Sequence, residues 1–229
     1  MNDKLTELVF VLDRSGSMGG LESDTIGGFN SMLEKQRNVD GEAVVTTVLF
    51  DDRYELLHDR IPIDGVLPMT DRQYFVRGGT ALLDAVGRTI AKISSAWQNT
   101  APAQRPGKVI FVITTDGQEN ASREFSREQV RQMITERQNQ GWEFTFLGAN
   151  MDAVEEARSL GISADRAATY RCDSRGTAVN FAAVGEFLRK ARTCPERADG
   201  SWKAPIEADC AGRGRPKDTG EGKRTGKKQ

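Results

Sequence analysis

The sequence predicts an α/β fold, a doubly wound and mostly parallel sheet of six strands with helices on both faces and one antiparallel strand at an edge. Two observations lead to this prediction. Apolar runs of strand length alternate with segments of helical periodicity through residues 1–192 of the 229, which is typical of a parallel sheet with crossover helices. One pair of strand-like runs is joined by only three residues, a connection that permits an antiparallel hairpin but not a parallel crossover.

The first strand is predicted at residues 8–12, LVFVL, because an unbroken apolar run suits a strand that is covered on both faces. A glycine-rich turn follows, and the next apolar residues share one face of a predicted helix: Ile26, Phe29 and Leu33. Gly27 and Gly28 each weaken that helix by about 1 kcal/mol, so their presence indicates close packing against the sheet.

The two strands of the predicted edge hairpin are residues 43–50 and 54–63. Asp51 and Asp52, between them, are predicted as turn residues. His58 lies in the second of these strands, where we expect it to be a surface side chain. The helix that follows has apolar residues at steps of three and four: Leu82, Val86, Ile90, Ile93 and Trp97.

Two further buried strands are predicted at residues 109–114 and 144–147. Between them, Ser126 and Gln129 have the spacing of a capping box and predict the start of a helix. A short helix and a brief edge strand near residues 168–170 come next. A last helix is predicted from the spacing of its apolar residues: Phe181, Val184, Phe187 and Leu188.

The composition narrows the classes of function. Lys and Arg number 32 against 33 Asp and Glu, and this balance argues against binding of nucleic acid or a membrane surface by the whole chain. The longest apolar runs have five residues, far fewer than a membrane span needs, and the charged start is unlike a signal peptide. Three widely spaced cysteines suit a reducing compartment, with Cys172 expected to be inert. We therefore expect a cytoplasmic protein without a membrane segment.

The sequence predicts a domain over residues 1–192 and a disordered basic tail over residues 193–229. Residues 213–229 carry seven basic and two acidic side chains, and such a segment buries too little apolar surface to offset the entropy of ordering it. The R-G-R-P sequence at 213–216 resembles the core of an AT-hook, which binds the minor groove of A·T-rich DNA. Nucleic-acid contact through the tail therefore stays open as an alternative to a solubilising tail.

Polar side chains with oxygen donors follow the buried strands. Asp13, Ser15 and Ser17 follow the first strand, Thr80 precedes a helix, and Asp116 follows a later strand. All three loops are predicted at the carboxyl edge of the sheet, where ligands bind in this fold class. Two carboxylates and three hydroxyls favour a hard cation, Mg²⁺ first, with Mn²⁺ or Ca²⁺ as alternatives.

This pattern resembles the metal-ion-dependent adhesion site (MIDAS) of von Willebrand factor A (vWA) domains, in which D-x-S-x-S is joined by a later Thr and a later Asp. The segments LVFVLDRSGSMGG, RGGTALLDAV and VIFVITTDGQENAS are most similar to the small stand-alone bacterial members. The resemblance implies that Ser15, Ser17 and Thr80 contact the metal directly or nearly so. It also implies that Asp13 and Asp116 act largely through water or hydroxyl groups.

The resemblance also implies what the site does. A metal held by neutral hydroxyls stays electrophilic, and a Glu or Asp side chain of a partner protein completes its coordination shell. Members of this kind often work beside AAA+ ATPases or in multiprotein assemblies. The expected function is thus Mg²⁺-dependent binding of an acidic residue of a protein partner, and not catalysis.

Other chemistries fit these loops poorly. The loop after the first strand lacks G-x-G-x-x-G, and Lys108 is followed by Val109 instead of the Ser or Thr of a P-loop. Ser15 stands where a haloacid-dehalogenase-like phosphatase needs a second Asp. A serine hydrolase with its nucleophile elbow at Ser17 is the nearest alternative, but the single histidine, His58, comes too early in the chain for its triad. We therefore expect no enzyme.

Two carboxylates lie near the predicted site in the sequence. Asp84 comes one helical turn after Thr80, and Glu119 comes three residues after Asp116. We interpret both as capping or solvated groups, because carboxylates at the starts of helices and loops commonly have that role.

Overall fold

The computed structural model describes residues 1–149, 151–194 and 199–213. Its strands form one sheet and are β1 (Asn2–Asp13), β2 (Glu42–Phe50), β3 (Tyr54–Pro62), β4 (Pro106–Thr115), β5 (Glu143–Ala149) and β6 (Ala167–Tyr170). Their order across the sheet is β3-β2-β1-β4-β5-β6, and β3 alone runs antiparallel to its neighbour. The predicted six-stranded sheet with one antiparallel edge strand is confirmed.

Helices cover both faces of this sheet, as predicted. They are α1 (Glu22–Arg37), α2 (Leu82–Asn99), α3 (Arg127–Gln138), α4 (Ala153–Ser159), α5 (Ser174–Thr193) and α6 (Ala204–Gly212). Helices α1 and α5 pack on one face, and α2, α3 and α4 pack on the other. Within β1, Leu8 and Phe10 enter the first of these cores and Val9 and Val11 enter the second. This alternation is why the first apolar run is unbroken.

The strand order reverses at β1, and this reversal creates the crevice where the predicted site lies. β1 pairs in parallel with β2 on one side and with β4 on the other. Near the carboxyl ends of β1 and β4, Leu12 is in register with Thr114. The loops that follow these two strands therefore leave the sheet side by side.

The glycines of α1 have a different neighbour from the one predicted. A Cβ atom at Gly28 would lie 2.4 Å from the ring of Phe181 in α5, so Gly28 allows two helices to approach. A Cβ atom at Gly27 would meet no neighbouring atom within 4 Å. The expectation that both glycines pack against the sheet is wrong, because α5 covers this side of α1.

The predicted domain boundary after residue 192 is too early. Residues 200–203 form a 3₁₀ turn, α6 follows, and both pack on the domain. Trp202 is 4% exposed and Ile206 is 1% exposed, both within the core beside α5. Because the segment has only these two large apolar residues, its composition is polar and the sequence gives no sign of its burial. The predicted disorder of residues 214–229 lies outside the described residues.

No helix in the described part of the chain is long and apolar enough to cross a membrane.

Candidate metal centre

The carboxylate of Asp13 is fixed at the end of β1. Its side chain is 1% exposed, and it accepts hydrogen bonds from the Ser15 backbone N–H at 2.7 Å and from the Thr115 hydroxyl at 2.5 Å. Burial raises the pKa of Asp13 to about 6, although these hydrogen bonds oppose the shift. The fold therefore holds a buried carboxylate at the point where the sheet order reverses.

Ser17 connects the loop after β1 to the loop after β4. Its hydroxyl donates to Asp116 Oδ1 at 2.6 Å and lies 3.0 Å from the Ser15 hydroxyl oxygen. Asp116 is buried, and burial raises its pKa in spite of hydrogen bonds from Ser17 and Cys172. The structure thus brings two predicted carboxylates and two predicted hydroxyls into one cluster.

Thr80 joins this cluster beside Gly117. A Cβ atom built on Gly117 would lie 2.7 Å from Thr80 Oγ1 and 3.1 Å from Ser17 Oγ. Both hydroxyl oxygens therefore face the same small space, which any larger residue at 117 would fill. The Thr80 backbone is held by Asn120, whose side-chain oxygen accepts from the Thr80 N–H at 2.9 Å.

The chemistry of this cluster fits a hard divalent cation. Its side-chain donors are all oxygen atoms: Asp13, Ser15, Ser17, Thr80 and Asp116. Neither carboxylate forms an ion pair with a Lys or Arg in the described part of the chain, so their negative charge lacks a compensating cation. Among the same residues no group of three or more His, Cys, Asp or Glu side chains is placed to hold a metal ion. The candidate centre differs from such a group because three of its five donors are hydroxyls.

Arg14, between two of the predicted metal ligands, has a role that sequence reasoning missed. Its side chain is fully buried, and its Nε donates to Asp51 Oδ2 at 2.9 Å. Its Nη2 lies 2.7 Å from Glu55 Oε2. Its charge is therefore directed to the hairpin and not to the carboxylates of the candidate centre. No local pattern marks this pair, because 37 residues separate Arg14 from Asp51.

Asp51 is a turn residue, as predicted, because its Oδ1 accepts from the Arg53 N–H at 2.8 Å, but it also has a role that the prediction did not include. Its carboxylate is fully buried and accepts from both Arg14 and Arg77. Burial alone would raise the pKa of Asp51, but the hydrogen bonds from Arg77 and Arg14 hold it below its usual value. The backbone oxygen of Asp51 accepts from the Ala81 N–H at 2.8 Å. Asp51 thus fixes the loop that carries Thr80.

The loop over residues 66–81 lies against the loop after β1. The Arg77 N–H donates to Arg14 O at 3.0 Å, and the Gly16 N–H donates to Gly78 O at 3.2 Å. The buried hydroxyl of Tyr74 donates to Asp13 O at 2.6 Å. Gly78 has φ +65° and a Cβ there would lie 2.4 Å from the Asp52 carboxylate, so glycine is required at this close approach.

Cys172, which the sequence predicts to be inert, also contacts the cluster. Its thiol donates to Asp116 Oδ2 at 3.5 Å. Asp116 is therefore held through both carboxylate oxygens, one by Ser17 and one by Cys172. The next residue, Asp173, caps α5 through the Gly176 N–H. A cysteine just before a helix cap is not a recognisable signal for this contact.

His58 is not the surface side chain that we predicted. It is 6% exposed, and its Nδ1 lies 3.0 Å from the Thr47 hydroxyl on the neighbouring strand. Burial lowers its pKa. The prediction failed because an edge strand was expected to be exposed, whereas His58 is in register with Thr47, which is itself buried.

Glu119 is a capping group, as predicted, because it accepts from an N–H in the first turn of α2, whereas Asp84 caps no helix and bonds to a loop. Asp84 accepts hydrogen bonds from the backbone N–H groups of residues 123–125, and these bonds hold its pKa below the usual value although burial opposes them. Glu119 accepts from the N–H groups of Leu83, Ala121 and Ser122. Both carboxylates thus order the loop between β4 and α3 around the start of α2.

Comparisons of sequence give no match. No protein-family model matches the chain, and no curated protein has a significant similarity to it.

Comparisons of structure do give matches. The von Willebrand factor domain of the type V pili tip protein Mfa5 from Porphyromonas gingivalis matches with a TM-score of 0.60 at 11% identity, over 84% of this chain and 98% of that one. The chain has the von Willebrand factor A fold. Proximal thread matrix protein 1 from the mussel byssus, in a structure with a zinc-occupied MIDAS motif, matches with a TM-score of 0.56 at 17% identity.

The extent of these matches differs between the two proteins. The match to the mussel protein covers 80% of this chain but only 46% of that one, so this vWA-like chain spans less than half of that protein's length. The match to the domain of Mfa5 is nearly complete for that domain. At these identities the similarity establishes the vWA fold, and the five oxygen-bearing residues remain predicted metal ligands.

Proposed function

We propose that this chain is a divalent-metal-dependent protein-interaction module. It binds an acidic side chain of a partner protein through a Mg²⁺ ion held at the carboxyl edge of its sheet. The observation that carries the proposal is the assembly of two buried carboxylates and three hydroxyls from three separate loops. The metal ligands in this proposal are Asp13, Ser15, Ser17, Thr80 and Asp116.

The five proposed ligands contribute to the site in two ways. Ser15, Ser17 and Thr80 offer neutral oxygen donors, and Asp13 and Asp116 supply the negative charge. A divalent cation bound there would offset the two carboxylates and accept an oxygen ligand from outside. Mg²⁺ prefers six oxygen ligands. Because some of the five side chains would act through water, the coordination shell keeps a place for a carboxylate of the partner. Mn²⁺ and Ca²⁺ use the same donor type, and the zinc in the mussel protein's MIDAS motif supports a divalent ion more generally.

We also propose that this site does not catalyse a reaction. A serine hydrolase of the triad type needs a histidine base within hydrogen-bond reach of its nucleophile. The Ser17 hydroxyl contacts Ser15 and Asp116, whereas the ring of His58 contacts Thr47. These contacts favour the hydroxyl of Ser17 as a metal ligand over a nucleophile.

Binding of DNA through the tail is less well supported than binding of a protein. Arg213, the first arginine of the R-G-R-P sequence, donates to Asp173 at 2.8 Å and pairs with Asp209. Its guanidinium is therefore engaged within the domain, whereas an AT-hook would need it in the minor groove. The other residues of that sequence lie outside the described part of the chain.

We further propose a cytoplasmic location and a partner within a multiprotein assembly, such as an AAA+ ATPase. The three cysteines are free, which suits a reducing compartment.

The proposal is tested by pull-down from the lysate of the native host, in Mg²⁺, in EDTA and with Thr80→Ala. Calorimetric titration of the purified chain with Mg²⁺ is the companion measurement. We expect Mg²⁺ to bind the wild type, and certain proteins to be retained only by the wild type in Mg²⁺. If Mg²⁺ fails to bind, or if the three lanes retain the same proteins, the proposed function is wrong.

A further inference from the structure

The loop that carries Thr80 also carries an exposed aromatic side chain. Phe75 is 42% exposed, and in the described part of the chain only Met1 and Leu67 are other large apolar residues with such exposure. A single exposed apolar side chain has no meaning by itself. The surroundings of Phe75 distinguish it, because two charged groups hold its ring in place.

Two guanidinium groups pack on the ring of Phe75. The Cζ atoms of Arg14 and Arg77 each lie 5.2 Å from its centroid, within the range of a cation–π interaction. Both arginines are fixed by hydrogen bonds from their Nε atoms to the same oxygen of Asp51. The ring is therefore ordered before any partner binds, and an ordered anchor loses little conformational entropy on binding.

The backbone on both sides of Phe75 is attached to the segment that carries the metal ligands. Tyr74 bonds to the carbonyl of Asp13, and the Arg77 N–H bonds to the carbonyl of Arg14. Three residues after Arg77 the same loop supplies Thr80. The loop that carries Phe75 therefore lies against the segment that carries the metal ligands.

Arg77 adds an unused set of hydrogen-bond donors to this loop. Its Nε is bonded to Asp51 at 2.7 Å, but its two Nη atoms make no hydrogen bond to the residues that the structure describes. Its side chain is 32% exposed. A guanidinium in this position can bind a carboxylate from outside, and arginines and aromatic residues are common anchors of protein interfaces.

We propose that Phe75 and Arg77 extend the metal centre into one binding surface for an acidic segment of a partner protein. One carboxylate of that segment binds the metal, a second carboxylate binds the Nη atoms of Arg77, and an apolar side chain packs on the ring of Phe75. This inference rests on the proposed function, because it adds specificity to a metal-dependent contact.

The test begins with a display library of random dodecapeptides on the immobilised full chain in Mg²⁺, eluted with EDTA. We expect the eluted peptides to combine at least two acidic residues with an apolar one. A synthetic peptide from this pool is then measured against the wild type, Phe75→Ser and Arg77→Gln. Each substitution is expected to weaken peptide binding about tenfold, the size typical of an interface anchor. Mg²⁺ affinity should stay unchanged in Phe75→Ser. Because Arg77→Gln also loses the bond to Asp51, the direct contact of Arg77 with the peptide is judged by the double-mutant cycle below.

Two controls make this result specific. Leu67→Ser removes an apolar side chain that is more exposed than Phe75 in the same loop, and we expect no change in peptide affinity. Replacing the second acidic residue of the peptide by Gln should weaken binding to the wild type but not to Arg77→Gln, as in a double-mutant cycle.

The outcomes separate this inference from the proposed function. If EDTA-sensitive peptides bind Phe75→Ser and Arg77→Gln as tightly as the wild type, the proposed surface is wrong while metal-dependent binding stands. If EDTA elutes no peptide from the wild type, or if Thr80→Ala selects the same pool, the metal-dependent function fails and this inference fails with it.

Discussion

Ser17 and Asp116 lie 99 residues apart in the sequence and are joined by a hydrogen bond of 2.6 Å from the serine hydroxyl to Oδ1 of the aspartate. This bond connects the loops after β1 and β4, which leave the sheet side by side because their strands are neighbours. Asp116 also has a raised pKa, so the hydroxyl stabilises a carboxylate that burial disfavours. A cation at this position would stabilise the same charge more strongly.

The space beside Gly117 gives the first prediction. Gly117→Ala places a methyl group 2.7 Å from Thr80 Oγ1 and 3.1 Å from Ser17 Oγ, so the two hydroxyls are pushed apart. We expect Mg²⁺ affinity, measured by calorimetry, to fall at least about tenfold, as is usual when ligand positioning is disturbed. Gly27→Ala is the control, because its new methyl group meets no atom within 4 Å. Equal affinities for the two variants would contradict a shared metal position beside residue 117.

The buried carboxylate of Asp13 predicts how the effect of Mg²⁺ depends on pH. Its pKa in the folded state is about 6, above the ordinary value of 3.8, so folding favours the protonated form. Without metal, this group stabilises the fold below about pH 4, and the contribution of about 3 kcal/mol is lost as pH rises through 6. Because metal binding needs the ionised form, Mg²⁺ should raise Tm more at about pH 7.5 than at about pH 5.

The measurement for this prediction is thermal unfolding in Mg²⁺ and in EDTA at both pH values. At each pH, the Tm in EDTA is subtracted from the Tm in Mg²⁺. This subtraction removes the contribution of ionisable groups distant from the site. Asp13→Asn is expected to abolish the Mg²⁺ effect at both pH values. An equal Mg²⁺ effect at both pH values in the wild type would show that Asp13 does not titrate with metal binding.

The thiol of Cys172 gives a third prediction. It donates to Asp116 Oδ2 at 3.5 Å, so Cys172→Ala frees one oxygen of the carboxylate and should weaken Mg²⁺ binding several-fold. Cys172→Ser keeps a donor at this position and should retain most of the affinity. Mg²⁺ titrations of the two variants are compared with their Tm values. A loss of Tm without a loss of affinity would assign Cys172 to packing alone.

The parts of this fold that were predictable from the sequence depend on local patterns. The apolar run of residues 8–12 predicts a buried strand, and the three-residue connection predicts an antiparallel hairpin. Both predictions are confirmed. The five site residues could be grouped for the same reason. Each of their loops follows or precedes a recognisable element, and the reversal of strand order brings those loops together.

The contacts that sequence reasoning missed join distant residues of ordinary types. Arg14 and Asp51 look like a loop residue and a turn residue, and only the folded chain shows that they form a buried pair. Cys172 reaches Asp116 from another strand end. The composition of residues 199–213 predicts a tail because it averages over the segment, whereas two apolar side chains, Trp202 and Ile206, pack this segment on the domain.

The ion pair between the buried carboxylate of Glu7 and the partly exposed Arg60 predicts a large effect on stability. Glu7 is fully buried in β1, its pKa is raised by burial against the effect of Arg60, and it accepts from Arg60 Nε at 3.0 Å. Arg60→Ala leaves a buried carboxylate without its partner, which should lower the free energy of unfolding by about 3 kcal/mol or more. Arg60 has φ +50°, and alanine would keep that backbone strain.

Urea denaturation checks this prediction. Adding Glu7→Gln to Arg60→Ala should recover part of the loss, since a neutral amide is less costly to bury than a charge. Arg158→Ala is the control, because its partner Glu155 and Arg158 itself are each 65% exposed, and we expect little change. Similar losses for Arg60→Ala and Arg158→Ala would show that burial of Glu7 does not matter.

The segment after α5 gives the last prediction. The indole of Trp202 donates to Asp165 O at 3.0 Å, and its ring centroid lies 5.4 Å from that of Phe187 in α5. Trp202→Ala should lower the free energy of unfolding by about 3 kcal/mol, because it removes a large buried side chain and leaves a cavity. Thermal unfolding measures this as a fall in Tm of roughly 10 °C for a domain of this size.

The matched control for Trp202→Ala is removal of residues 214–229, which are predicted to be a disordered tail and should contribute nothing to Tm. If Trp202→Ala has as little effect as this truncation, residues 199–213 do not stabilise the domain, and the original boundary after residue 192 is the correct one. If the truncation lowers Tm as much as Trp202→Ala does, the basic tail itself packs on the domain. The expected pattern, a large fall for Trp202→Ala and none for the truncation, places the end of the stable fold after α6, because the buried area of Trp202 and Ile206 attaches that helix to α5 and β6.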